Sequence, residues 1–194
     1  MLEIGCGEDG GLVHLLADAG YEVLGVDPHA PDGEHFVRGR FQDIDGRWDA
    51  AVAGRVLHHV QPLGESLDLL AGFAPLLLVD EFGADLIDGR AQDWYEGQRR
   101  TLRASGAPVE GPESIDEWRS KHPHLHPHDV LLAALRERYD ELTLERVPYL
   151  HRWLRGPSSE ALEQSLVDAG ALPAIGYRWA GARRSTTRSE APSR

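Results

Sequence analysis

Apolar positions along the chain fall into short blocks whose period switches between that of a strand and that of a helix. Leu2-Glu3-Ile4 gives way to the glycine-rich Gly5-Cys6-Gly7-Glu8-Asp9-Gly10-Gly11. Leu12, Leu15, Leu16 and Ala19 follow at steps of three and four, the spacing of a helix with one apolar face. Strand, tight turn and helix are therefore predicted in that order, with Gly20 ending the turn. Residues 22–26 read as a second buried strand stopped by Asp27-Pro28, which makes a parallel βαβ unit. A third strand is predicted over 36–41, followed by the turn Gln42-Asp43-Ile44-Asp45-Gly46. The fourth spans 48–53 and runs into Gly54 and the segment Arg55-Val56-Leu57-His58-His59-Val60. Leu63, Leu67, Leu70 and Ala74 mark the next helix, closed by Pro75, and 76–79 is a fully buried fifth strand ending in Asp80-Glu81. Such alternation predicts an α/β fold, a doubly wound and mostly parallel sheet with its ligand outside the carboxyl ends of the strands.

From 83 to 140 the alternation stops. A helix over 90–104 carries Trp94, Tyr95 and Leu102, and Ser114-Ile115-Asp116-Glu117 has capping-box spacing for a short helix bearing Trp118. Val130, Leu131, Ala134 and Leu135 fit a third helix. The block 83–140 is thus expected to be a helical insert that forms a lid over a substrate. Beyond it, 141–150 reads as a strand, 159–169 as a helix closed by Gly170, and 171–180 as a last strand. Residues 1–181 form one expected domain, and 182–194, rich in Arg, Ser and Thr without an apolar period, an expected disordered tail.

Composition narrows the partners. The chain is 41% hydrophobic and 27% charged, a globular balance, and its formal net charge of −12 argues against nucleic acid. One cysteine, Cys6, excludes an internal disulfide and a cysteine-based zinc site. No apolar run has the length of a membrane span and no basic-then-apolar leader is visible, so a cytoplasmic protein is expected.

Gly5-x-Gly7-x-x-Gly10 matches the dinucleotide fingerprint, which makes an NAD(P)-dependent oxidoreductase one reading. Charge opposes it. A pyrophosphate is anionic and sits on such a loop and the helix N-terminus, whereas this loop carries Glu8 and Asp9, with Glu3 just before it. A phosphate-free cofactor with cationic ammonium and sulfonium groups is favoured, and S-adenosylmethionine is one. Asp27, at the tip of the second strand, stands where such folds place an acid against ribose hydroxyls.

In these motifs the sequence resembles the class I S-adenosylmethionine-dependent methyltransferases. Leu2-Glu3-Ile4-Gly5-Cys6-Gly7 is similar to the family's first motif and Val23-Leu24-Gly25-Val26-Asp27 to its second. Trp48-Asp49-Ala50-Ala51-Val52, with Leu57-His58-His59-Val60, is similar to the fourth-strand motif. The resemblance covers residues 1–82 and implies a Rossmann-like sheet of seven strands, the last antiparallel. It implies that Gly5, Cys6 and Gly7 line the methionine part of the cofactor, Asp27 holds the ribose, Asp43 with Ile44 brackets the adenine, and Gly54 faces the methionine end. Glu3 and Pro28 complete the expected contacts. The sequence departs from the family at the third glycine, where Asp9 stands, with glycines at 10 and 11. It departs again in starting at the first strand, where the family usually has preceding helices. Cover is then expected from the 83–140 insert or a second copy in a homo-oligomer, or the pocket is open. A non-catalytic binding subunit with the same fold is a third reading.

Methyl transfer needs alignment and exclusion of water more than catalytic side chains, plus a base if the acceptor is a hydroxyl or amine. His58 and His59, past the fourth strand, and Glu81, past the fifth, are the candidate bases of a small-molecule methyltransferase acting on oxygen or nitrogen. Trp94, Tyr95 and Tyr149 are the candidate acceptor walls, with His151 and Trp153 near Tyr149. The run Lys121-His122-Pro123-His124-Leu125-His126-Pro127-His128-Asp129 does not read as a metal site, since an extended, proline-broken stretch spaces alternate side chains too widely for one ion.

Overall fold

The computed structural model describes residues 1–154 and 157–184, the side chains of residues 157 and 158 excepted. Seven strands form one sheet in the order β3-β2-β1-β4-β5-β7-β6. They are β1 (Leu2–Ile4), β2 (Leu24–Asp27), β3 (Phe36–Arg38), β4 (Ala50–Gly54), β5 (Leu76–Phe82), β6 (Tyr139–Val147) and β7 (Gly176–Arg183). The first five pair in parallel, and β7 runs antiparallel to both of its neighbours, β5 and β6. The expected Rossmann-like sheet is present, its last strand reversed.

Alternation along the central strands explains the main core. Leu2 and Ile4 of β1, Ala51 and Ala53 of β4, and Leu77 and Val79 of β5 share one face by register. That face packs against α2 (Leu63–Phe73), through Leu67 and Leu70, and α5 (His128–Arg138), through Leu131, Leu132 and Leu135. Arg138 on α5 also donates to Asp68 on α2 at 2.6 Å. Helix α5 is therefore part of the sheet's cover. The expected lid of 83–140 is corrected accordingly: only α3 (Gly89–Ala104) and α4 (Ile115–Lys121) stand at the carboxyl edge. Together with α6 (His151–Leu154) they close a second apolar cluster around Phe82, Tyr95, Ile115, Leu150 and Ile175. Ser114 caps α4 as its spacing predicts, accepting from the Glu117 amide. The remaining helices are α1 (Val13–Asp18) and α7 (Pro157–Asp168).

Several boundaries move for identifiable reasons. The Gly39 amide on the Asp27 carbonyl closes the last pair of the β2–β3 ladder, Asp27 with Arg38, and beyond it Phe41 buries itself in a short 3-10 turn. β5 continues through Asp80, Glu81 and Phe82 because β7 supplies a partner for each of them. β7 begins at Gly176 rather than 171, beyond Pro173, and extends through Arg183, so residues 182 and 183 belong to the sheet and not to a tail. Arg184 follows the strand with its amide on the Arg138 carbonyl, and the rest of the predicted tail, 185–194, lies outside the described residues. No helix among the described residues is long and apolar enough to cross a membrane.

Candidate cofactor and acceptor site

The glycine loop is shaped by contacts on its far side. Gly5 has φ 77°, and a Cβ there would lie 2.6 Å from Val56 Cβ. Gly11, φ 55°, is pressed so closely on the Glu3 carboxylate that a side chain would collide with it. Both positions therefore require glycine, for the left-handed backbone and for the close approach. At Gly7 and Gly54 a Cβ would meet nothing within 4 Å. These two face open space at the carboxyl ends of β1 and β4.

Glu3 does not reach that space as a free anion. Its carboxylate is buried, and both oxygens accept from the Leu12 amide at the start of α1, at 3.0 and 2.8 Å. Burial raises its pKa against the lowering effect of the backbone hydrogen bonds. Cys6 is likewise buried; desolvation, with the Asp27 and Glu3 charges adding to it, pushes its thiol up to about 11. It is a neutral packing group at neutral pH. Asp27, ending β2, accepts from the His29 amide at 2.7 Å in a tight turn that holds the carboxylate in place.

Two cavities open along this edge. One of about 700 Å³ is lined by Glu3, Gly5, Cys6, Gly7, Gly54, Arg55, His58, His59, Phe82, Trp118, Tyr149 and Trp153, among others. The second, about 480 Å³, includes Gly5, Asp27, Pro28, Arg40, Phe41, Gln42 and His59. Gly5 and His59 line both. A cleft of about 840 Å³ at the opposite edge, around Met1, Tyr21, Trp48 and Leu76, is larger. It lies at the amino ends of the strands, where open α/β sheets do not bind their ligands.

Between β4 and α2, a 3-10 turn (Leu57–His59) brings two imidazoles to the larger cavity. His58 is buried, and its Nδ1 is 2.7 Å from Glu81 Oε2. Glu81 also accepts from the Leu57 and His58 amides at 2.7 and 3.4 Å and from the Phe82 amide at 3.3 Å. A carboxylate in that setting makes His58 Nδ1 the donor and leaves Nε2 as an acceptor. His59 stacks at a tilt on His58, with ring centroids 4.1 Å apart. Desolvation, with His58 and His122 adding to it, lowers its pKa from 6.5 to about 4. An NMR titration of this imidazole is expected to show a midpoint at about 4. The unfolded chain then binds a proton that the folded one refuses, so stability falls as pH drops from 6.5 toward about 4. A folded-state midpoint at or above the ordinary value contradicts this environment.

The wall opposite the glycine loop is aromatic. Phe82 stacks on Tyr149 at 4.3 Å, Trp118 stands 5.1 Å from Trp153, and His122 stacks on Trp118 at 4.7 Å. The histidine run is tied down and opens α5. His126 donates its amide to the His58 carbonyl and its Nε2 proton to the Val60 carbonyl, at 3.0 and 2.7 Å. His128 starts α5, with its amide and ring bonded to Asp85.

No protein-family model matches the sequence, and no curated protein matches it. Solved structures do. An S-adenosylmethionine dependent methyltransferase from Mesorhizobium loti is similar with a TM-score of 0.56 at 16% identity, over 94% of this chain and 89% of that one. The plantazolicin methyltransferase BpumL, solved with a monoazolic desmethylPZN analog and SAH, is similar with a TM-score of 0.54 at 12% identity, over 95% and 75%. The magnesium protoporphyrin IX methyltransferase from Synechocystis PCC 6803, with bound SAH, is similar with a TM-score of 0.52 at 15% identity, over 95% and 73%. The chain has the fold of the class I methyltransferases.

Within the methyltransferase fold, the structure gathers part of the expected site and disperses the rest. Glu3, Gly5, Cys6, Gly7, Gly54, His58, His59 and Tyr149 meet around the larger cavity, and Asp27 and Pro28 around the smaller. Asp43 and Ile44 line neither; the stretch before them, Arg40, Phe41 and Gln42, takes that place because β3 ends early. Glu81 points into the protein and does not line the cavity, which corrects its place among the candidate bases; its carboxylate instead holds the His58 ring. Tyr95 is fully buried, its hydroxyl donating to the Pro112 carbonyl at 2.7 Å, and Trp94 packs against the same cluster. Neither lines the cavity, and Trp118 with Trp153 does so instead. Arg55 and Arg152, also on the lining, carried no signal in their spacing. The same holds for Glu163, whose buried carboxylate accepts from the Tyr149, Leu150 and His151 amides at 2.8, 2.9 and 2.7 Å.

Proposed function

We propose that the protein transfers the methyl group of S-adenosylmethionine to an oxygen or nitrogen nucleophile of a small molecule. The observation that carries this reading is the pairing of both Glu3 oxygens with the Leu12 amide. A dinucleotide pyrophosphate uses the amides at the start of the helix after the glycine loop, and here a carboxylate already occupies that place. Glu8 and Asp9, on the same lining, add negative charge that repels phosphate and suits a cation. The open space over Gly7 and Gly54 is the close approach such a ligand requires.

The residues that would hold the cofactor are Asp27 at the ribose hydroxyls, Arg40 to Gln42 beside the adenine, and Gly5, Gly7 and Gly54 along the methionine part. When bound, that group supplies an electrophilic methyl on a sulfonium. His58 Nε2, its ring fixed by Glu81, accepts the proton that the nucleophile loses, and His59 stays neutral beside it. The aromatic wall on α4 and α6 aligns the acceptor and excludes water, which makes 83–127 the acceptor-binding insert of a single methyltransferase domain. Asp27→Ala is expected to weaken S-adenosylhomocysteine binding by about 1–3 kcal/mol, roughly 5- to 150-fold, while the lost His29 hydrogen bond lowers the unfolding midpoint by only a few degrees. Unaltered affinity removes Asp27 from the site and weakens the assignment with it.

A further inference from the structure

The larger cavity is polarised. Glu8 and Asp9, on the loop after β1, stand on one side, while Arg55 directly follows β4 and Arg152 comes from α6, on the side of β5 and β7, where Asp80 also lines the cavity. The two arginines are not equivalent. Arg152 is neutralised by Asp80, 2.9 Å away, and lies over the Tyr149 ring at 5.7 Å from its centroid. Arg55 has no carboxylate within 4 Å among the described residues. It is also the one non-glycine residue among them with a positive φ, 56°, and its amide is anchored on the Asp80 carbonyl at 2.8 Å. A strained backbone that holds an unpaired guanidinium at a cavity mouth is a feature of binding sites rather than of packing. The wall beside it is built of flat rings, Phe82, Trp118, Tyr149 and Trp153, and the His58 ring lies 4.9 Å from Phe82.

Resting on the methyltransferase reading, we propose that the acceptor is a hydroxyaromatic carboxylate. Its ring stacks on the aromatic wall, its carboxylate pairs with Arg55, and its hydroxyl faces His58. Planar rings are selected by the wall's faces, and a bidentate guanidinium pair selects the carboxylate. In the reaction the hydroxyl oxygen forms the new oxygen–carbon bond as the donor's sulfur–carbon bond breaks. The bonding pair leaves on sulfur as a neutral thioether, and the hydroxyl proton passes to His58.

The test is calorimetric titration of the whole chain with 4-hydroxybenzoate, phenol and cyclohexanecarboxylate, each with and without saturating S-adenosylhomocysteine. The expected result is that 4-hydroxybenzoate binds about 10- to 100-fold more tightly than phenol, which lacks the carboxylate, and than cyclohexanecarboxylate, which lacks the planar ring and the hydroxyl. Arg55→Gln is expected to remove its advantage over phenol while leaving phenol and S-adenosylhomocysteine affinities unchanged. Equal binding of the three probes, no binding of any, or an advantage that survives Arg55→Gln overturns the proposal. If S-adenosylhomocysteine itself fails to bind, the methyltransferase reading falls, and the titrations without it still decide the ligand class.

Discussion

Glu81→Ala is expected to destabilise the protein by about 3–5 kcal/mol, because it strands donors that have no access to water. The side chain is fully buried, and its oxygens serve the Leu57, His58 and Phe82 amides as well as His58 Nδ1. In a domain of this size that cost lowers the unfolding midpoint by roughly 6–20 °C, readable by thermal denaturation. Glu81→Gln separates the structural from the chemical role. The amide keeps the volume and one acceptor oxygen, so most of the stability is retained, but an N–H now opposes the Nδ1 proton and the ring loses its fixed tautomer. Methyl transfer is then expected to fall on the order of 100-fold. A Glu81→Ala protein that melts like the parent shows that the carboxylate holds nothing.

Glu163→Ala should act on the acceptor half alone. Three successive amides, those of Tyr149, Leu150 and His151, converge on this one carboxylate at 2.7 to 2.9 Å, and the His151 ring joins them at 3.0 Å. Its removal leaves the turn into α6 without acceptors, a loss of about 3 kcal/mol. Because α6 carries Arg152 and Trp153, with Tyr149 just before it, the aromatic wall loosens while the glycine loop and Asp27 are untouched. Hydrogen exchange at 149–151 is expected to speed up markedly and acceptor binding to be lost, with S-adenosylhomocysteine affinity retained. Unchanged exchange at these amides would mean that the segment is held by its apolar contacts instead.

What the sequence made readable divides along physical lines. The order strand, loop, helix at Leu2 to Ala19, the acid at 27 and the pair His58-His59 are local patterns that survive folding, although α1 buries Val13 and leaves the expected Leu12 and Leu15 exposed. Side-chain direction at element ends does not follow from them. Glu81 reads as an exposed strand terminus, yet β7 extends the ladder past it, and one step of strand alternation turns its carboxylate inward. Trp94 and Tyr95 sit on a helix whose spacing shows which residues share a face; Ala91, Tyr95 and Arg99 are the buried stripe. Spacing is silent on which face meets the cavity, and the helices that do so are α4, through Trp118, and α6, through Trp153. The bond from Glu163 to the amides before α6 spans elements with no shared period, so nothing in the chain announces it. The acidic loop is the opposite case. Its charges argue from sequence against a phosphate, and the Glu3 carboxylate on the Leu12 amide turns that argument into geometry.

The central claim is that the site at the carboxyl edge takes a phosphate-free, cationic nucleoside cofactor. Calorimetric titration of the chain with S-adenosylhomocysteine and, separately, with NAD tests it most directly. The expected result is saturable binding of S-adenosylhomocysteine, weakened by Asp27→Ala, and no heat from NAD; saturable NAD binding with none for S-adenosylhomocysteine would contradict the account.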